Sequence, residues 1–464
     1  MYEYDIAIIG GGSAGLTAAK LAQALGKKTI IIEKNALGGD CLFYGCVPSK
    51  ALISINKVLH SPFLDVLGID KSNFPKVDFN KIKQNIESTI DTVGEGDSID
   101  HIKSLGIEAL IGCASFINQH TLQVDGKQIT ASRILIATGS RPFIPNIEGL
   151  SDIKYFTNES IFQLDELPKS MVVLGGGPIG CEMAQAFKYL GSDVTIVQRN
   201  EKLIPNDDSC ASDFIQKQFK TDGIKVLLSK EIVKVSKVDQ QTQITLKTGE
   251  ILLTDLLLIA IGRKANLDSL NAEAISIKTN DKGVIINKYL QTSIPNVYAA
   301  GDVCGPFLFT HFAAQQASFA IVNMTIPPFL KQPFNFSTPW VTFVSPEIAH
   351  CGSTQQELNN QKIAFTTLEL PYSKIDRAIT DKSESGFIRI YKSTDDYILG
   401  ATIIGERAGE LIMECIIGMS QKIKISKLLT IIHPYPTYSS GLQVLMYEDY
   451  LKNNKLIKFI RKYL

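Results

Sequence analysis

Two stretches of this chain, residues 5–34 and 171–200, read as the same unit: a short apolar strand, a glycine-rich turn, a helical run and a second apolar strand. The first runs DIAIIG, GGSAG, LTAAKLAQALGK, TIIIEK, and the second runs MVVLGGGPIGCEMAQAFKYLGSDVTIVQRN. That order of periods is the pattern of a parallel βαβ unit. Each turn spaces its glycines G-x-G-x-x-G, at Gly10, Gly12 and Gly15 and at Gly175, Gly177 and Gly180. In that spacing one glycine makes a tight turn, one lets the backbone approach a diphosphate and one lets helix and strand pack closely, while the free amides of the helix start attract phosphate. The bland reading is a strand-to-helix turn. Glu33, placed 18 residues after Gly15 at the end of the second strand, favours the dinucleotide reading, because a carboxylate there takes a ribose hydroxyl. Two units imply two dinucleotide sites.

The second unit differs at that position. Gln198 replaces the acid and Arg199 follows it. A carboxylate would accept a 2′-hydroxyl and repel a 2′-phosphate, whereas Arg can hold the phosphate bidentately, so NADPH is expected over NADH. Against this, Arg199 reads equally as a solvated surface residue with Gln198 bonding a hydroxyl. Lys202 would help phosphate binding and Glu201 would hinder it.

The rest of the chain fits around these units. Residues 134–139 (ILIATG), 256–262 (LLLIAIG) and 296–302 (NVYAAGD) are buried-type strands ending in glycine, and from about Thr338 alternating segments such as FIRIYKS and YILGATIIG indicate an antiparallel sheet with helices. The expected fold is α/β: two Rossmann-like dinucleotide-binding domains followed by a C-terminal α+β domain. The first dinucleotide domain spans 1–150 and resumes at 271–337, the second spans 151–270, and the last domain spans 338–464. A length of 464 residues suits about three domains. Forty-seven basic and 47 acidic side chains cancel, so no overall charge recruits nucleic acid. No apolar run reaches the roughly 18 residues of a spanning helix, and no export signal precedes the first strand, so a cytoplasmic setting with reduced thiols is expected.

Of eight cysteines, only Cys41 and Cys46 lie close together, in GGDCLFYGCVPSK. A pair at the start of a helix can close a small disulfide ring, and the helix dipole favours a thiolate there. The competing readings are a zinc half-site, which would want a second Cys pair that this chain lacks, and two unrelated buried thiols. Cys113, Cys181, Cys210, Cys304, Cys351 and Cys415 stand singly and read as small core residues. No metal site is expected.

GGDCLFYGCVPSK between two dinucleotide turns, with ATGSRP at 137–142, AIGRKAN at 260–266, NVYAAGDVCG at 296–305 and HPYPT near the C-terminus, resembles the FAD-dependent pyridine nucleotide-disulfide oxidoreductases over the whole chain. The resemblance implies that the first turn and Glu33 bind the ADP half of FAD, Asp302 its ribityl or pyrophosphate region, and the second turn the nicotinamide cofactor near Gly262. It implies further cofactor contacts from Ser13, Ala14, Lys34, Gly39, Asp40, Ala114, Thr138, Gly139, Arg141, Ile179, Arg199, Arg263 and Gly301. Cys46 would face the flavin, Cys41 would be the outer interchange thiol, and Lys50, paired with Glu182, would stabilise charge on the reduced flavin. Electrons would pass from NADPH through FAD to Cys41 and Cys46 and on to a small-molecule or protein disulfide, or a metal ion, in a homodimer whose subunits share active sites.

The C-terminal segment departs from the lipoamide and glutathione enzymes of that family. Aligned on Pro436 and Thr437, Tyr435 stands in place of the catalytic His and Ser440 in place of its Glu. A Tyr with an ordinary pKa near 10 is a poor base and a fair donor. His433, two residues away, would share a face with Tyr435 in an extended stretch and substitute for the missing His. The Tyr is similar to mercuric reductases, the nearest branch, but no counterpart of the vicinal Cys pair and metal-binding domain of those enzymes is expected, which leaves the acceptor undefined. Rival functions are a mercuric-ion, other metal or quinone reductase, an NAD(P)H oxidase, and a non-catalytic redox-sensing or membrane-surface flavoprotein. At the end, Leu456, Ile457, Phe459, Ile460, Tyr463 and Leu464 fall on one side of a helix and Lys455, Lys458, Arg461 and Lys462 on the other. Such a tail either docks on the last domain or holds the protein peripherally at the inner surface of an anionic membrane.

Overall fold

In the computed structural model, which describes residues 1–70 and 77–453, the strand Tyr4–Ile9 lies at the centre of a parallel sheet. Thr29–Glu33 and then Glu108–Ile111 flank it on one side, and Lys127–Ile136 and then Val297–Ala299 on the other. Ile6 to Ile9 and Ile30 to Ile32 are buried throughout, as expected of strands covered on both faces. The first half of Lys127–Ile136 extends into an antiparallel hairpin with Thr121–Val124 and Ala114–Asn118. The helix Ser13–Ala24 packs on the helix Thr310–Thr325, and Ala18 and Ala22 share one buried cluster with Ala313, Ala317 and Ala320, small side chains that suit close helix packing.

The chain leaves this sheet after Ile136 and builds a second parallel one in the order Lys225–Leu227, Asp193–Val197, Ser170–Leu174, Leu256–Ile259. It returns to the first sheet with Val297–Ala299. A five-stranded antiparallel sheet follows, in the order Trp340–Thr342, Glu347–Gly352, Ile398–Gly405, Phe387–Ser393, Phe365–Pro371, with the helix Ala408–Ser420 packed on it.

The core that matters for the site joins all three parts. Leu52 on the helix Cys46–Leu59, Ile82 and Ile86 on Phe79–Gly94, Met183 and Phe187 on Pro178–Leu190, and Ile348 and Ile404 of the antiparallel sheet form one buried cluster. The Cys helix is thereby wedged against the second-turn helix, and side chains far apart in sequence are held in fixed positions. Among the described residues no helix is long and apolar enough to cross a membrane. The basic amphipathic stretch 455–464 lies outside the described residues.

Candidate active site

The two glycine turns repeat in atomic detail. Gly10 and Gly175 have φ of +108° and +115°, and a Cβ on either would lie 2.2 or 2.3 Å from the carbonyl oxygen of Ala137 or Ala260. A Cβ on Gly15 or Gly180 would lie 1.8 or 2.0 Å from the oxygen of Gly10 or Gly175. Gly12 and Gly177 begin the two helices with no side-chain cap, so first-turn amides are left without intrahelical partners; a Cβ on Gly177 would meet nothing within 4 Å, and one on Gly12 only the Gly39 Cα at 3.7 Å. Uncapped amides beside glycines form a cradle for a diphosphate. Both cradles open onto one cavity of about 1770 Å³. The residues present fit two dinucleotides.

Beyond each cradle the strand end differs. Glu33 Oε2 accepts the Gly11 amide at 2.6 Å and Oε1 accepts the Asn35 amide at 3.0 Å. Gln198 is buried, accepts the Gly176 amide through Oε1 at 3.3 Å and donates through Nε2 to the Lys202 carbonyl at 3.4 Å. Arg199 lines the cavity and has no ion pair among the described residues, while the Lys202 ammonium reaches Ser209 Oγ at 3.5 Å.

Cys46 begins the helix Cys46–Leu59, and Cys41 lies one short helix earlier, in Gly39–Phe43. Both are free thiols in hydrogen-bond contact. Cys46 Sγ lies 3.5 Å from Thr310 Oγ1, the first residue of the helix Thr310–Thr325, so two helix starts converge on this sulfur. The hydrogen bond from Cys41 holds the Cys46 thiol below its usual range, with Thr310 and the Lys50 charge acting in the same direction against burial. The same contact, with burial, pushes Cys41 up. One turn along the helix, Lys50 Nζ meets Glu182 Oε2 at 2.9 Å, and Glu182 is only 7% exposed. Phe343 completes this corner: its amide donates to Glu182 Oε1 at 2.9 Å, and Lys50 Nζ sits 4.3 Å from its ring centroid.

Several expected cofactor residues are engaged by protein groups. Arg263 bonds the Ser140 carbonyl at 2.9 Å, Ser140 Oγ at 2.7 Å and Asp40 Oδ1 at 3.2 Å. Asn158 donates to the same Asp40 carboxylate at 3.2 Å. Arg141 bonds Asn266 at 3.0 Å and pairs with Asp268. Asp302 accepts Ser140 Oγ at 2.6 Å, and burial raises its carboxyl above the ordinary range. Thr138 Oγ1 donates to the Asn266 carbonyl at 2.8 Å and the Gly301 amide to Gln316 at 2.8 Å. Ser13, Ala14, Lys34, Gly39, Ala114, Gly139, Ile179 and Gly262 line the cavity.

His433 and Tyr435 do not share a face, contrary to the extended-chain expectation. The His433 side chain is 5% exposed, and its ring nitrogens lie 2.9 Å from the Ile431 carbonyl and 3.0 Å from Glu414. No ring lone pair points into open space, because each nitrogen has found an acceptor. Tyr435 is 73% exposed and donates to Asp376 at 2.7 Å, which raises its phenol pKa. The segment is not a strand, so period-two facing does not apply. Sequence reasoning missed Thr310, Phe343, Asp376 and Glu414. Thr310 carried a weak signal as a hydroxyl residue at a helix start; the other three carried none.

Comparison with known proteins places this geometry. The family description "Pyridine nucleotide-disulphide oxidoreductase" matches residues 4–318, and its dimerisation domain matches 338–445. The chain is 31% identical over 451 residues to a mercuric reductase of Staphylococcus aureus, covering 95% of this chain and 82% of the relative. It is 30% identical over 441 residues to a dihydrolipoyl dehydrogenase of Mycoplasma genitalium, covering 94% and 96%. Among solved structures, the HOCl-induced flavoprotein disulfide reductase RclA from Escherichia coli superposes with a TM-score of 0.86 at 26% identity, covering 96% of this chain and 99% of that one. RclA has also been solved as a Cu(II) complex, with a TM-score of 0.85.

Proposed function

The chain belongs to the pyridine nucleotide-disulphide oxidoreductases, and from that membership we propose that it passes electrons from NADPH through FAD to Cys41 and Cys46 and then to a disulfide acceptor. The observation that carries this reading is the meeting, on one cavity, of both glycine cradles, the Cys pair and the ion pair of Lys50 and Glu182. Enzymes of this family use FAD and a nicotinamide dinucleotide. Bound FAD supplies the two-electron relay between a nicotinamide and a dithiol.

This chain's residues do the rest. The first turn and Glu33 hold the ADP half of FAD, and the second turn holds the nicotinamide dinucleotide. Arg199 pairs with a 2′-phosphate, the source of the NADPH preference. Lys50, paired with Glu182, would stand beside the bound flavin as a fixed positive charge. Reduction of the Cys41–Cys46 bond takes two electrons and leaves Cys46 as thiolate, held by Thr310, with a proton on Cys41. As Cys41 attacks an acceptor disulfide its proton passes to the departing sulfur, and one thiol is released. Cys46 then displaces the second thiol and re-forms the internal disulfide. The dimerisation domain supports a homodimer, and apolar side chains such as Ile432, 92% exposed, are available for its interface. In that dimer Tyr435, its hydroxyl oriented by Asp376, would enter the partner's site as a hydrogen-bonding group rather than a base.

Cys41→Ser tests the proposal. The variant should still be bleached by NADPH anaerobically and should lose turnover with dithionitrobenzoate and oxidised lipoamide. Retained turnover with either disulfide would overturn it. A second reading, soft-metal reduction, is favoured by the exposed Tyr435 and by the mercuric reductase and Cu(II)-bound relatives. Assays with Hg(II) and Cu(II) beside the disulfides decide between the two.

A further inference from the structure

Phe343 touches both members of the ion pair beside the Cys helix. Its backbone amide holds Glu182 Oε1, the oxygen that Lys50 leaves free, and its ring lies against the Lys50 ammonium at 4.3 Å. The three residues come from three parts of the fold. Lys50 stands on the Cys helix, Glu182 on the second-turn helix, and Phe343 directly after the strand Trp340–Thr342 of the antiparallel sheet.

The ring contact answers a specific weakness of the pair. Glu182 is buried and fixed, but the Lys50 side chain is 33% exposed. A lysine is a strongly hydrated point charge on a flexible four-carbon stem, and one hydrogen bond does not prevent it from turning toward water. The face of an aromatic ring attracts a cation within about 6 Å, and it does so most where water is partly excluded. An aliphatic side chain at 343 would fill the same wall without that attraction. The amide bond to Glu182 is a backbone feature and survives any side-chain change, so the two contributions of Phe343 are experimentally separable.

We propose that Phe343 is a positioning residue whose ring holds the Lys50 ammonium toward the cavity, so that the antiparallel-sheet domain, and not only the two dinucleotide domains, sets the charge beside the flavin. The inference rests on the reading that Lys50 faces the bound flavin. The test compares holoenzymes carrying Phe343→Leu, Phe343→Tyr, Lys50→Met and the double change Lys50→Met with Phe343→Leu. Two quantities are read anaerobically: the flavin midpoint potential and the rate of bleaching by NADPH. Lys50→Met should lower the potential, because it removes a cation that stabilises negative charge. Phe343→Leu should lower it in the same direction by less and slow bleaching roughly 3- to 10-fold. Phe343→Tyr, which keeps the ring, should stay at the wild-type values, and the double variant should match Lys50→Met alone. A Phe343→Leu potential equal to wild type, or a double variant that adds the full effect of both single changes, would overturn the role of Phe343. An unchanged potential in Lys50→Met would remove the reading of Lys50 and the inference with it. Phe343→Met, also without a ring, repeats the test if the leucine variant does not fold.

Discussion

Gln198 Oε1 accepts the Gly176 amide at 3.3 Å, the contact that Glu33 Oε2 makes to the Gly11 amide in the first turn, but the amide side chain brings no negative charge to that position. Its nitrogen donates to the Lys202 carbonyl. In the proposed preference for NADPH, selection at the second cradle falls to Arg199, an exposed cation without an ion pair among the described residues. Arg199→Ala should raise KM for NADPH roughly 10- to 100-fold, the range of a hydrogen-bonded charge contact, with little change for NADH. Steady-state kinetics with both nucleotides check this, and an equal rise for both would refute a phosphate contact.

Thr310→Val removes a hydroxyl from Cys46 while keeping its shape. Because that hydroxyl favours the thiolate, the Cys46 pKa should rise by about half to one pH unit. The profile of iodoacetamide alkylation of Cys46 against pH, read by mass spectrometry on the reduced holoenzyme, should move toward higher pH by that amount.

Gly180→Ala would place a methyl 2.0 Å from the Gly175 oxygen and force the second turn open. The core of the first sheet does not depend on it. The variant should fold and retain FAD while its affinity for NADPH falls roughly 10- to 100-fold, typical of overpacking. Gly15→Ala, with the equivalent clash at 1.8 Å, should instead lose FAD. Flavin stoichiometry and nucleotide titration separate the two.

Asp207 is 7% exposed and accepts Trp340 Nε1 at 2.7 Å. Burial pushes its carboxyl up to about 6, above the unfolded value. The folded state therefore holds this proton more tightly. The associated stability is fully present below about pH 4 and is lost as pH rises through 6. Asp207→Asn keeps an acceptor for Trp340 and removes the buried charge, so it should stabilise the protein by about 2–3 kcal/mol at pH 8 and progressively less below pH 6. Thermal unfolding of both proteins across this pH range measures the difference.

Legibility followed distance along the chain. The two cradles were readable because the clash that demands glycine at position 15 comes from Gly10, five residues away. Cys41 and Cys46 were readable because five positions and a helix start define their chemistry. The pairing of Lys50 with Glu182 came from resemblance, since 132 residues separate them, and the ring of Phe343 announced itself in no local pattern. At the C-terminus an expectation drawn from backbone period failed. His433 and Tyr435 each turned to a carboxylate from a different element, Glu414 and Asp376, because a polar head in an irregular segment goes to the nearest partner rather than to a shared face.

What the amino-acid order settled alone is whatever depends on the backbone of a few consecutive residues: two strand-turn-helix cradles, a thiol pair at a helix start and the absence of an acid at position 198. The tertiary structure decided which distant groups share a boundary. It brought Thr310 to Cys46, Phe343 to Lys50 and Arg263 to Asp40. These contacts exist because a core shared by all three parts of the chain fixes the helices against one another, and no local propensity encodes a distance between elements that only joint packing can set.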